Sequence, residues 1–152
     1  MKADSKIITY ILIQSFVIFN LQAQNSIDLS SIQKENSVVA STWHQLRQID
    51  SVMISYKFVE CETISYILLK VDNTSGKDVK VTWNYQLINN GTALDINPDD
   101  SKVDFNIEAG QSVKGDCDRR HKNALIVLVS ESEHLQRLTS INLLNIKVSF
   151  IN

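Results

Sequence analysis

The chain has 152 residues, of which 43% are hydrophobic and 21% charged, and a formal net charge of −2 at pH 7. This length suits one domain that buries a single core. The basic residues are scattered, and the run Arg119 to Lys122 lies beside Asp116 and Asp118, so no electropositive stripe is present and we expect no nucleic-acid partner.

Residues 1–24 have the features of a secretory signal peptide. Lys2 and Lys6 give a positive start, and residues 7–21 form an apolar stretch that is too short and too polar for a comfortable membrane span. Ala23 is a small residue near the expected cleavage site, and the segment resembles signal peptides of Gram-negative bacteria. We expect a secreted or periplasmic protein with no transmembrane segment after signal removal; an uncleaved anchor is the alternative.

Residues 25–41 are polar and lack a periodic pattern, which predicts a leader or linker before a domain that spans residues 42–152. The start of that domain, residues 42–49, is ambiguous. Its apolar residues, from Trp43 to Ile49, are three apart and suit a helix face, but the segment runs directly into a strand and suits a hairpin. We favour an edge strand.

Three segments alternate apolar and polar residues, which predicts strands with one face on the core and one in water. The clearest is 79–87, where Trp83 lies in the middle of the apolar face. The other two are 52–58 and 103–107.

Three further segments complete the predicted strands. Residues 64–71 and 124–129 are apolar on both faces, which predicts positions in the middle of sheets. In residues 143–151 the alternation predicts an inward face made of Leu144, Ile146, Val148 and Phe150.

Turn-forming residues separate these strands at 72–78, 89–91, 97–100 and 108–112. Many short strands with regularly spaced turns and no long helical pattern predict an all-β fold. The expected architecture is an antiparallel β-sandwich of about seven to eight strands.

Two cysteines, Cys61 and Cys117, lie at the ends of apolar runs. In an exported chain an even number of cysteines predicts a disulfide. Each cysteine is flanked by acidic residues, which disfavour a thiolate, so neither has the setting of an activated nucleophile.

The order Cys61, Trp83, Cys117 over residues 52–151 resembles the order of cysteine, tryptophan and cysteine in immunoglobulin domains, and the strand count is similar. The resemblance implies an Ig-like sandwich. With its export signal, the chain also looks like small exported bacterial β-sandwich proteins of unassigned function. A fold of this kind does not imply an activity.

Metal sites are the first alternative chemistry. The spacing of Cys117 and His121 resembles that of blue-copper proteins, but no methionine follows. Asp95, Asn97 and Asp99 alternate as calcium ligands do, but the glycine and glutamate of the helical calcium motif are missing. We expect no metal and no cofactor, with calcium or copper binding kept as an alternative.

The sequence contains no GxSxG, no HExxH and no glycine-rich phosphate loop, and its three histidines share no motif. We therefore expect a non-catalytic module with a binding or structural role in the cell envelope or outside the cell. An enzyme whose site is not visible in the sequence is the alternative. The expected partner is an unknown envelope or extracellular protein or glycan.

The candidate binding loop is residues 114–123, in which Arg119, Arg120 and His121 follow Cys117. Its arginines can bind carboxylates in a forked geometry. The polar faces of the predicted strands carry no aromatic residue, so stacking against sugars on a flat face is disfavoured.

Overall fold

A computed structural model describes residues 25–29, 42–62, 64–118, 125–130 and 138–151. The predicted signal peptide, the rest of the expected leader and the predicted binding residues Arg119, Arg120 and His121 lie outside these ranges. The predictions about them therefore stay predictions.

The described residues form ten strands and one short helix. In chain order they are β1 (Ser26–Asp28), β2 (His44–Ile49), β3 (Val52–Cys61), β4 (Ile64–Asn73), β5 (Val79–Asn89), β6 (Thr92–Ala93), α1 (Pro98–Ser101), β7 (Lys102–Ile107), β8 (Ser112–Lys114), β9 (Ile126–Ser130) and β10 (Ser140–Phe150).

The strands make two antiparallel sheets that pack together, which confirms the predicted β-sandwich. In the first sheet the order is β1-β10-β5, with β6 and β7 both pairing along the far side of β5. In the second sheet the order is β2-β3-β4, with β8 and β9 both pairing along the far side of β4. β2 pairs only with β3 in the described part of the chain, so the edge strand favoured for residues 42–49 is confirmed.

The core forms between the sheets, where alternate residues of each strand meet. Trp83 in the middle of β5 is 1% exposed, and its ring packs edge-on against Phe105 at 5.4 Å and Tyr85 at 6.1 Å between ring centroids. Val103, which lies opposite Trp83, and Ile107, which lies opposite Val79, are also buried. The inward faces predicted for residues 79–87 and 103–107 are therefore confirmed.

β4 is buried on both faces, as its sequence predicts. Ile67 and Leu69 face the core, and Tyr66 and Leu68 on the opposite face are also buried. The matching prediction for residues 124–129 is wrong, because β9 pairs on one side only with β4 in the described part of the chain, and Leu128 is 39% exposed.

A β-bulge in β10 overturns part of the predicted inward face of residues 143–151: Ile146 and Val148 pack against the core as predicted, but Leu144 and Phe150 are exposed. The register shifts between Leu144 and Lys147, where Asn145 has a φ of 55°. Because side chains alternate, this shift moves every residue before it to the other face. Ile141 and Leu143 are therefore in the core, and Leu144 is 37% exposed.

Residues 25–29 differ from the expected polar leader. Ser26–Asp28 form β1 beside β10, and Ile27 and Leu29 are both buried in the core. Two apolar residues in a polar run give no visible pattern, and only the pairing with β10 defines this strand.

Candidate functional site

The outer face of the second sheet, the face turned away from the core, carries several cationic side chains. In the strand register Lys57 lies opposite Leu68, and Lys70 lies opposite both Ser55 and Lys114. Opposed residues share a face of a sheet, and the residues next to them along β3 and β4 face the core. All three lysines therefore lie on the outer face.

Trp43 brings an aromatic ring to these lysines. It immediately precedes β2, in which His44 pairs with Tyr56, and the same register places Trp43 beside Lys57. The Nζ atoms of Lys57 and Lys70 are 4.9 Å and 5.8 Å from the centroid of the indole ring. We call Trp43, Lys57 and Lys70 the Trp43 cluster; its cation–π contacts contribute about 0.5–1 kcal/mol each at exposed sites.

The two lysines of the Trp43 cluster differ in their surroundings. Lys70 Nζ forms an ion pair with Asp72 Oδ2 at 2.9 Å, and the hydroxyl of Ser112 donates a hydrogen bond to the other oxygen of that carboxylate. Lys57 has no ion pair with a carboxylate in the described part of the chain. Lys70 is thus fixed in place, and the ammonium group of Lys57 is available to an anion.

The predicted disulfide is present and lies on the same outer face. Cys61 ends β3 and alternates in phase with Lys57, and its sulfur is bonded to that of Cys117 with the Cα atoms 5.8 Å apart. Cys61 lies in β3 and Cys117 follows β8, and both strands belong to the second sheet. The bridge therefore does not join the two sheets, as the disulfide of immunoglobulin domains does. Neither cysteine is free to bind copper or to act as a nucleophile.

Gly115 marks where the chain leaves the edge of the second sheet, and Leu125 marks where it returns. The Gly115 N–H donates to the carbonyl of Leu69 at 2.8 Å, and the Leu69 N–H donates to the carbonyl of Leu125 at 2.7 Å. β8 and β9 thus follow one line along β4, interrupted by residues 116–124. The predicted binding residues Arg119, Arg120 and His121 follow Cys117 in the sequence and lie outside the described residues.

The candidate calcium turn is a capped helical turn. The side-chain oxygen of Asn97 accepts a hydrogen bond from the Asp99 N–H at 3.0 Å, which is the usual N-cap arrangement for a helix such as α1. The cap gives the side chain of Asn97 a structural role. In the described ranges no group of three or more His, Cys, Asp or Glu residues could hold a metal ion.

Two tyrosines between the sheets have raised pKa values. Burial raises the pKa of Tyr85 strongly, and the pKa of Tyr56 is raised by burial first and by the charge of Asp28 second. Both hydroxyl groups therefore stay protonated well above pH 7. They are hydrogen-bonding groups at neutral pH and not general bases.

The described residues include no helix with the length and apolar character needed to cross a membrane.

Comparison with known proteins identifies no family. No family model matches the chain, and no curated protein matches it. A crystal structure of a DUF1425 family member from Shewanella sp. pv-4 is similar with a TM-score of 0.38 and 10% sequence identity, over 78% of this chain and 96% of that one. At this level the similarity carries no argument about fold or function.

The Trp43 cluster is the feature that the sequence did not reveal. The hairpin turn at Asp50 and Ser51 alone would pair Trp43 with Phe58, on the core face. A register shift between Gln45 and Arg47 moves Trp43 beside Lys57 on the outer face instead. No residue type in this segment signals the shift.

Proposed function

We propose that this protein is an exported, non-catalytic β-sandwich module that binds an acidic oligosaccharide through the Trp43 cluster, in the cell envelope or outside the cell. The observation that carries the proposal is the contact of one indole ring with two ammonium groups on the outer face of a sheet. An indole ring offers an apolar surface to the C–H groups of a sugar ring. The ammonium group of Lys57 beside it can bind a carboxylate of an acidic sugar through a charge-assisted hydrogen bond, while Lys70 is paired with Asp72.

The strands around the Trp43 cluster favour binding because they hold its groups in place. Lys57 and Lys70 project from the paired strands β3 and β4, and Asp72 fixes the ammonium group of Lys70. A site whose groups are already held on regular strands loses little conformational entropy when a ligand binds.

Export is supported by two independent features. The first 24 residues have the pattern of a signal peptide, and the disulfide between Cys61 and Cys117 suits an oxidising compartment. The periplasm, the cell surface and the medium all satisfy this condition.

The predicted loop residues Arg119, Arg120 and His121 extend the proposal. Cys117 lies on the outer face with Cys61, so the chain enters this loop from the face that carries the Trp43 cluster. We expect that replacing both arginines with serine leaves folding unchanged and weakens binding of the acidic ligand. Undiminished binding would remove this loop from the site.

The test is titration calorimetry on the exported, processed chain with a hexamer of galacturonic acid, and with maltohexaose as the neutral control. We expect binding of the acidic hexamer only. Trp43→Ala should weaken binding about tenfold or more, equivalent to ~1.4 kcal/mol, and Lys57→Ala should also weaken it.

The matched control is Lys80→Ala, because Lys80 is an exposed lysine on the outer face of the first sheet. Its replacement makes the same charge change away from the Trp43 cluster. If Lys57→Ala and Lys80→Ala weaken binding of the acidic hexamer equally, net charge alone accounts for the lost affinity. That result would contradict the proposal.

A further inference from the structure

β10 has a partner along only part of one side. β5 pairs with it from Ser140 to Phe150, but β1 covers only Ser140 to Asn142, with one further hydrogen bond from the Leu143 N–H to the Asn25 carbonyl. Beyond that point, residues 144–151 have no strand beside them on this side in the described part of the chain. Phe150 is 51% exposed and Ile151 39% exposed.

The backbone groups on this open side can be identified. The Ile151 N–H donates to the Asp78 carbonyl at 2.9 Å, so the backbone N–H of Ile151 faces the β5 side. Successive residues of a paired strand direct their N–H and C=O groups to opposite sides. Val148 and Phe150 therefore direct theirs to the open side.

The predicted processing of the chain bears on what could extend β1 along this edge. β1 runs antiparallel to β10, with Ser26 opposite Asn142, so any extension of β1 along residues 144–150 would come from residues before Asn25. Those residues belong to the predicted signal peptide. The predicted cleavage near residue 24 would remove the residues that lie in line with β1 along this edge.

We propose that two copies of this chain pair antiparallel through the open edge of β10 and join their first sheets into one continuous sheet. The backbone N–H and C=O groups of Val148 and Phe150 both face the open side. A two-fold arrangement that pairs the backbone groups of both residues places Val148 of each copy opposite Phe150 of the other. Ser149 then lies opposite Ser149, and Lys147 lies opposite Ile151. This is the isologous geometry of a symmetric dimer.

The edge is chemically suited to a second copy. An unpaired strand edge is a template for another strand, and natural edges often carry charged side chains that discourage this. Here the only charged residue of the open segment, Lys147, meets Ile151 of the partner and not a second lysine. Phe150 and Ile151 supply apolar surface that the pairing would cover.

The test begins with the mass of the exported, processed chain by light scattering and sedimentation over a range of concentrations. We expect a monomer–dimer equilibrium. Ser149→Asp should shift it to the monomer, because it places two carboxylates opposite each other across the interface, while within one copy the exposed residue 149 lies opposite Lys80 and the unfolding midpoint should not fall.

A second variant tests the register itself. Ser149→Cys should form an intermolecular disulfide under mild oxidation, because the two copies of residue 149 face each other. Lys80→Cys, in an exposed residue one strand away on the same face, is the control and should not cross-link at the same rate.

Three results would overturn the proposal: a monomer at every concentration, equal cross-linking by both cysteine variants, or a monomer that binds an added strand peptide at β10. This inference rests on the predicted export and processing and not on sugar binding. The Trp43 cluster is on the other sheet, so loss of dimerisation in Ser149→Asp with oligosaccharide binding retained would separate the two proposals.

Discussion

Gly115 lies so close to the backbone of Leu125 that a β-carbon placed on it would be 2.3 Å from the Leu125 carbonyl oxygen. That oxygen accepts the hydrogen bond from Leu69, so it cannot move without loss of the contact between β4 and its edge. The absence of a side chain at residue 115 therefore allows the backbones of Gly115 and Leu125 to lie side by side next to Leu69.

Replacement of Gly115 with alanine should destabilise the protein by about 1–3 kcal/mol, the usual cost of forcing an extra carbon into a packed site. Urea unfolding measures this. Gly76→Ala is the matched control, since a β-carbon there would have no atom within 4 Å. A Gly115 variant as stable as the Gly76 variant would show that the backbone can separate at little cost.

The disulfide should contribute strongly to stability. It closes a loop with a sequence separation of 56 residues, for which the loop-entropy estimate is about 4 kcal/mol. Replacing Cys61 and Cys117 together with serine should lower the free energy of unfolding by roughly that amount. Two thiols that react with an alkylating reagent in the exported, unreduced protein would contradict the bridge.

The two tryptophans should differ in their importance for stability. Trp83→Ala removes a buried ring from the centre of the core and should cost about 3–5 kcal/mol. Trp43→Ala removes a half-buried ring from the outer face and should cost about 1 kcal/mol, mainly its cation–π contacts. Chemical unfolding of both variants would decide this, and similar losses would mean that Trp43 is a core residue.

The parts of the fold that follow strict alternation could be predicted from the sequence. The buried faces of β5 and β7 can be assigned without knowing their partner strands, because an apolar residue at every second position requires one buried face. Apolar residues on both faces also predicted the central position of β4, although the same pattern in residues 124–129 belongs to β9, where Leu128 is exposed.

The predictions that were wrong lie where the pairing of strands overrides local pattern. Asn145 adopts a left-handed conformation within the bulge of β10, and this single shift exchanges the buried and exposed residues before it. The same kind of shift in β2 places Trp43 in the candidate site. β1 forms a strand only because it pairs with the edge of β10. No local pattern in residues 25–29 predicts this pairing.

Stability should fall in alkaline solution because of Tyr85. Burial raises its pKa in the folded protein above the unfolded value of 10.0. Above about pH 10 the unfolded chain loses this proton while the folded protein keeps it, so the stabilising contribution is complete below that pH and is lost as the pH rises.

Tyr85→Phe should remove this part of the pH dependence. Urea unfolding at pH 8 and pH 11 would compare the two proteins, and the loss of stability between these values should be smaller in the variant. An equal loss in both proteins would assign the alkaline effect to other groups.

The proposed binding site is tested most directly by the two indole N–H signals of the protein in a ¹H–¹⁵N correlation spectrum, assigned with Trp43→Phe. Trp43 lies on the outer face of the second sheet, and the indole nitrogen of Trp83 is buried in the core. Addition of the galacturonic acid hexamer should shift the Trp43 signal in a saturable way and leave the Trp83 signal in place. An unchanged Trp43 signal at saturating hexamer, or a shift confined to Trp83, would contradict binding at the Trp43 cluster.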